Sequence, residues 1–169
     1  MTNTSRRNAL KIAGIGSMLA AAPAPAQHQS ISGPLSNATV SFGQWKTDPP
    51  TDRFLPFTPA IGAHHITPQE VTIKAGGSVN FIISGFHLVL VYGDGTQPAD
   101  INVNNTIPGP PVPLINDAVN RIFRGSDPRI QPLDRVEVVH FHTRGTYLVI
   151  CGVLPHFNEG MFGFVRVLP

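Results

Sequence analysis

Cys151-Gly-Val-Leu-Pro-His156-Phe-Asn-Glu-Gly-Met161 holds the only cysteine of the chain, with a histidine five residues on and a methionine five after that. A thiolate, an imidazole and a thioether on one short segment are donors of graded softness. Sulfur favours Cu(I), imidazole serves Cu(I) and Cu(II) alike, and a weakly held thioether tunes the balance between them. A lone cysteine is ordinarily a small buried hydrophobe, and a lone methionine ordinarily fills a core. Their spacing about His156 argues for metal chemistry instead.

The flanking residues must position these donors. Gly145-Thr-Tyr147-Leu-Val-Ile-Cys151 leads in and Met161-Phe-Gly163-Phe-Val165-Arg-Val167 leads out. Gly-x-Tyr-x-x-x-Cys, then Pro-His, then Gly-Met-x-Gly-x-Val-x-Val resembles the C-terminal end of plastocyanin, pseudoazurin, azurin and related small blue-copper cupredoxins. The likeness runs over roughly residues 66 to 168, with an insertion between about 94 and 133. In that family a further ligand is an upstream histidine on a strand, shortly after a glycine. Here Ser84-Gly85-Phe86-His87-Leu-Val-Leu-Val fits. The resemblance therefore implies one copper per chain, held by His87, Cys151 and His156 in plane with Met161 axial, both histidines binding through Nδ1. The Cys-to-His gap is longer than in plastocyanin and equals that of azurin, while the His-to-Met step is one residue longer than azurin's.

Two further features bear on that reading. An unpaired thiol in an oxidising compartment is exposed to oxidation, and metal ligation would protect it. In plastocyanin and azurin an Asn commonly follows the first histidine and a Ser or Thr follows the cysteine, and the two hydrogen-bond. Leu88 and Gly152 stand at those positions. Rigidity is then expected from apolar packing by Leu88, Leu154 and Pro155. Phe86, Phe157 and Phe162 are expected to form an apolar shell, and Phe157 to flank an exposed His156 where a partner docks.

The first 26 residues read as an export signal to be removed. Ser5-Arg6-Arg7-Asn8-Ala9-Leu10-Lys11 resembles a twin-arginine motif. The mildly apolar Ile12–Ala22 is shorter than the roughly 20 residues that span a bilayer, and Ala24-Pro25-Ala26 suits cleavage. A periplasmic protein without stable membrane insertion is implied. The whole chain has a formal charge of +2 from twelve Lys and Arg against ten Asp and Glu. Losing Arg6, Arg7 and Lys11 leaves nine against ten, a net −1. No basic patch then remains to seek nucleic acid. The remaining 143 or so residues suit one domain, and a single cysteine excludes an internal disulfide framework.

Residues 27–60 read as an N-terminal arm and a loop, Asp48–Pro59, with four prolines. Within the arm, Thr39–Trp45 is a candidate first strand. Residues 61–169 read as the main domain. Glu70–Lys74 alternates like a half-buried strand, Ala75-Gly76-Gly77 reads as a turn, and Ser78–Ser84 and His87–Tyr92 are apolar, β-branched strands. Within the insertion, Ile115, Val119 and Ile122 fall at helical spacing with Gly125 as a stop, which predicts one short helix near 114–124. Arg135–Phe141, Thr146–Cys151 and Phe162–Leu168 are three more strands. Many short strands with Gly/Pro turns argue an all-β, antiparallel sandwich, which the resemblance makes a single Greek-key cupredoxin domain.

The resemblance implies a monomeric carrier of single electrons between redox protein partners, and not an enzyme. Multicopper oxidases and copper nitrite reductases place a histidine beside the cysteine to reach a second copper. Here the neighbours are Ile150 and Gly152, so that reading is disfavoured. A copper carrier or chaperone of the same fold is the alternative, with His64-His65 and His140-x-His142 as extra donors. Residues 140 and 142 of a strand share a face and could form a surface pair. Adjacent side chains of an extended segment, as at 64 and 65, diverge.

Overall fold

The computed structural model describes residues 35–43 and 64–169. The expected export signal, the Pro-rich loop and most of the N-terminal arm lie outside the described residues.

Among the described residues ten strands and one short α-helix follow one another: β1 Leu35–Phe42, β2 Ile66–Thr67, β3 Glu70–Ile83, β4 Val89–Asp94, β5 Thr106–Ile107, β6 Leu114–Ile115, β7 Arg121–Arg124, β8 Arg135–Phe141, β9 Gly145–Cys151, α1 Leu154–Asn158 and β10 Phe162–Leu168. Strand β3 organises the rest. Its first half, Glu70–Lys74, pairs with β10. Its second half, Gly77–Ile83, pairs with β8, and Ser78–Ile83 also pairs with β1. One long strand thus serves both layers of a sandwich, a device by which strands switch sheets at a bend. One layer holds β2, β1, the end of β3 and β8. The other runs from the start of β3 through β10, β9 and β4 to β7.

The glycine pair Gly76-Gly77 sits at the switch. It is not the turn that the sequence suggests, because β3 runs through it. Gly76 has φ +81° and supplies the irregularity. At Gly77 a Cβ would collide with the Ser36 carbonyl oxygen of β1. These glycines allow a bend and a close strand approach.

The expected all-β sandwich is present, with two corrections. Pairing is mixed and not purely antiparallel: β1 and β10 both run parallel to β3. Each of these partners reaches β3 through a crossover, which parallel pairing requires. The expected helix at 114–124 is absent. Leu114–Ile115 is a two-residue strand, Arg121–Arg124 pairs with β4, and the chain turns between them through Asn120 at φ +54°. Ile115 is buried, but Val119 and Ile122 are 77% and 51% exposed, so the three never shared a face. The observed helix, α1, lies in the Cys-to-Met loop. The other predicted strands are found within a few residues of their expected bounds.

Alternation places the core. On β8, Glu137, Val139 and Phe141 face inward while Val136, Val138 and His140 face out. The last five residues of β9, Tyr147–Cys151, are all buried, as are Val89–Gly93 of β4. These central strands carry near-continuous apolar runs, which marks burial on both faces. The site described below grows from the ends of these two strands.

Gly163 tests the packing at the start of β10. Phe164 N–H donates to the Gln69 carbonyl at 2.8 Å, and a Cβ on Gly163 would collide with that same carbonyl oxygen. Backbone cannot swing aside as a side chain can. Gly163→Ala is expected to cost about 1–3 kcal/mol of stability, as overpacking does. Urea unfolding measures it, and an unchanged midpoint would refute the close approach.

Candidate metal centre

Three of the anticipated residues meet. Cys151 ends β9 and pairs with Val89 of β4. His87 lies two residues before that partner. His156 sits in α1, where Pro155 occupies the first turn, a position its missing N–H tolerates. Cys151 Sγ lies 3.6 Å from His87 Nδ1 and 3.6 Å from His156 Nδ1, and the two Nδ1 atoms are 3.1 Å apart. All three side chains are buried. Among the described residues this is the one cluster of three or more His, Cys, Asp or Glu donors.

The donors suit a soft, first-row cation. Bonds of roughly 2.0–2.3 Å to nitrogen and sulfur put ligand atoms about 3–4 Å apart, which is the spacing seen. Burial, then the facing rings of His87 and His64, push His156 down to about 2. Its imidazole is therefore neutral at any ordinary pH, with a lone pair available to a metal. Thiolate and imidazole with no carboxylate favour copper or zinc over calcium or magnesium.

Met161 is wholly buried and its backbone is tied to both other donors of the loop. Its N–H donates to the His156 carbonyl at 3.0 Å, and its carbonyl accepts from Cys151 N–H at 3.0 Å. Gly160, at φ +93°, lets the chain leave α1 and reach that pairing.

The frame around the cluster is largely backbone. Gly152 N–H donates to the Leu88 carbonyl at 2.6 Å, and the Gly152 carbonyl accepts from Ile115 N–H at 2.7 Å. Leu154 N–H donates to the Pro113 carbonyl at 3.2 Å, and Leu114 bridges Val153. The 94–133 insertion therefore holds the ligand loop, a role the sequence did not disclose. Leu88 is fully buried, and a Cβ on Gly152 would stand 2.8 Å from Leu88 Cδ2 and 2.9 Å from Leu90 Cδ1. Leu88 packs where the anticipated apolar tie required. Leu154, Phe86, Phe157 and Phe162 pack against the core while part-exposed.

The His87 side is fixed from β8. Arg135 Nη2 donates to the His87 carbonyl at 2.8 Å and to the Ser126 carbonyl at 3.1 Å, while Arg135 Nε donates to Glu137 Oε1 at 2.7 Å. Glu137 Oε1 also accepts from Ser126 N–H at 3.0 Å. Phe42 meets the His87 ring edge-on, centroids 5.9 Å apart.

One expectation is corrected. His156 is not the exposed ring at the surface; it is 7% exposed. The ring of His64 covers it, stacked at 3.6 Å between centroids and 17° from parallel. His64 also meets His87 edge-on at 5.8 Å, and its Nδ1 lies 2.6 Å from Glu159 Oε2. His65 is exposed, whereas His64 is partly buried. His140 and His142 are both exposed, their rings 6.4 Å apart and 18° from parallel. They lie toward the far end of β8 from Arg135, away from the cluster.

Against solved structures, the chain is similar to auracyanin from the photosynthetic bacterium Roseiflexus castenholzii, with 21% identity and a TM-score of 0.53 over 81% of this chain and 100% of that one. This chain has the cupredoxin fold. It is also similar to pseudoazurin from Hyphomicrobium denitrificans, at 17% identity and a TM-score of 0.41 over 78% of this chain and 74% of that one. A rusticyanin variant matches at 22% identity and a TM-score of 0.42, over 80% and 79%. No family model matches the chain, and no curated protein matches it in sequence. No helix among the described residues is long and apolar enough to cross a membrane.

Leu88 carries the test of the apolar frame. Leu88→Asn would bury an amide opposite Gly152, which offers no side chain to receive it. A cost of at least about 1–3 kcal/mol is expected for the unsatisfied group, read by thermal unfolding. Stability equal to or above that of the parent would reveal a polar partner and refute the apolar tie.

Proposed function

We propose that this protein is a one-electron carrier of the blue-copper type, holding one copper between His87, Cys151, His156 and Met161. The observation that carries the reading is the buried Sγ–Nδ1–Nδ1 triangle with edges of 3.6, 3.6 and 3.1 Å. Bound there, copper supplies a Cu(I)/Cu(II) couple, which thiolate, imidazole and thioether donors together accommodate.

The chain's own residues do the rest. Cys151 and the two Nδ1 atoms are presented already converged, so little has to move between oxidation states. Backbone hydrogen bonds from Leu88, Ile115 and Pro113 hold the loop in place. Phe42, Leu88 and the buried ends of β4 and β9 exclude water, and dry surroundings tune a centre's potential. Met161 would supply the weak thioether donor.

Several features support a carrier of electrons over an enzyme or a copper chaperone. Ile150 and Gly152 flank Cys151, so no adjacent histidine leads on to a second metal. His140 and His142 form a pair, but no third donor joins them among the described residues. Burial of all three clustered donors suits retention of a metal better than its exchange. We read the N-terminal segment as a twin-arginine-like signal, the protein as periplasmic, and its partners as other redox proteins.

Two outcomes test the proposal. Protein loaded with Cu(II) is expected to be intensely coloured by thiolate-to-copper charge transfer. Cys151→Ser should abolish the band and most redox activity, because a hydroxyl does not replace a soft thiolate. A substituted protein with the same absorption would remove Cys151 from the ligand set. Met161→Leu should keep the colour and raise the potential, since the lost thioether stabilises Cu(II) more than Cu(I). Voltammetry that detects no shift would return Met161 to the core.

A further inference from the structure

His64 touches both histidines of the cluster and is not itself in the ligand set. It comes from the segment before β2, far in sequence from the loop it covers. Its ring lies face to face with His156 at 3.6 Å and edge to face with His87 at 5.8 Å. A carboxylate only accepts, so the 2.6 Å contact to Glu159 Oε2 makes His64 Nδ1 the donor. Glu159 belongs to the ligand loop, so the hydrogen bond locks ring and loop together. The His64 side chain is 16% exposed and that of Glu159 50%, whereas His156 beneath is almost closed to solvent.

We propose that His64 is the outer station of the electron route: electrons enter and leave through the His64 ring stacked on His156, and not through His156 directly. The inference rests on the electron-carrier reading. A single electron passes from the reduced centre through the contacting rings to a one-electron redox protein. The centre is oxidised by one electron and the acceptor reduced by one, with no bond made or broken and no proton moved. Neither ring holds the charge. Conjugated rings in van der Waals contact couple donor to acceptor better than the same gap filled with water. Glu159 is a positioning residue that keeps the ring parallel. A partner would therefore have to present its own redox group to the edge of His64 and tolerate the exposed carboxylate beside it.

Two substitutions separate a conducting ring from a simple cover. His64→Phe keeps an aromatic ring over His156 but gives up the bond to Glu159. His64→Ala removes the ring and opens His156 to solvent. Oxidation of the Cu(I) protein by tris(phenanthroline)cobalt(III), compared at equal driving force from measured potentials, should slow several-fold in His64→Ala and stay close to wild type in His64→Phe. An alanine variant that reacts as fast as wild type, or faster, would make His64 a lid and overturn the inference. The stack has a readout that needs no copper. In metal-free protein the His156 ring protons should be shifted upfield in the NMR spectrum, and His64→Ala should cancel the shift; normal shifts in the wild type would overturn the inference alone. A copper-loaded wild type without a reversible one-electron couple would instead overturn the carrier reading, and this inference with it.

Discussion

The backbone of Gly152 is the joint on which the site depends. Its N–H is held by the Leu88 carbonyl at 2.6 Å and its carbonyl by Ile115 N–H at 2.7 Å. The two backbone groups of one residue thus bind the end of β9 to the His87 segment on one side and to β6 on the other. Cys151 precedes it and cannot drift from His87 without breaking that bond. A Cβ at this position would press on the Leu88 and Leu90 side chains at 2.8 and 2.9 Å, so one of those buried side chains would have to shift. A side-chain hydrogen bond can link two ligand segments, but it needs two compatible polar residues. Here backbone groups link them, and the requirement passes to shape: a glycine at 152 and a leucine beside it. Backbone groups must be satisfied when buried in any case, so this arrangement leaves no extra polar side chain to satisfy.

Opposite that joint stands a buried ion pair. Arg135 and Glu137 have side chains only 10% and 9% exposed. Taking two charges out of water costs several kcal/mol per ion, and their attraction repays it only in good geometry. The geometry here is shared with backbone. Arg135 binds the His87 and Ser126 carbonyls, and Glu137 binds Ser126 N–H. A nearby Gly125 leaves room for the carboxylate, since a Cβ there would collide with Glu137 Oε2. An apolar pair of the same volume would pack, but it would leave the His87 carbonyl without this donor. The pair is better understood as a positional device for His87 than as a source of stability.

How much of this was legible follows from where the information lies. Cys151, His156 and Met161 sit within one loop, and the run of apolar residues on either side marks the strands that carry it. His87 was reachable through the resemblance, which asks for a histidine on a strand shortly after a glycine. The strands β8, β9 and β10 stand close to their expected bounds, although only β8 and β10 alternate buried with more exposed positions. The insertion was not legible, because Ile115, Val119 and Ile122 fit a helical period by coincidence. Pairing with β4 and with Val153 overrode that local pattern, and Val119 and Ile122 turned to solvent. Nor was the bend in β3, since a Gly-Gly pair signals a turn and a bulge equally well. His64 was beyond sequence reasoning altogether. Nothing local separates it from His65, and its meaning comes from a ring that lies ninety-two positions further on.

Preformation of the cluster has its own physical consequence. Two imidazoles with Nδ1 atoms 3.1 Å apart, beside a thiol sulfur, form a polar group in an apolar interior. Burying such groups costs free energy unless they are partnered, and the depressed basicity of His156 is the sign of that cost, with burial its largest cause. Left to itself, a loop would relax by turning His156 outward to water. Two restraints oppose this. Pro155, with the Leu154 N–H bond to Pro113, fixes the start of α1. The His64 ring closes the outward path, and Glu159 of the same loop holds that ring in place. The loop therefore carries both the donor and the anchor of its cover. A cation entering such a site meets donors already converged, with His156 neutral, so its binding energy is not spent on ordering the loop. The protein has met that ordering cost beforehand through packing in β4, β6 and β9. This is why residues with no side-chain donor of their own, Leu88, Ile115 and Pro113 among them, decide whether the chemistry is possible.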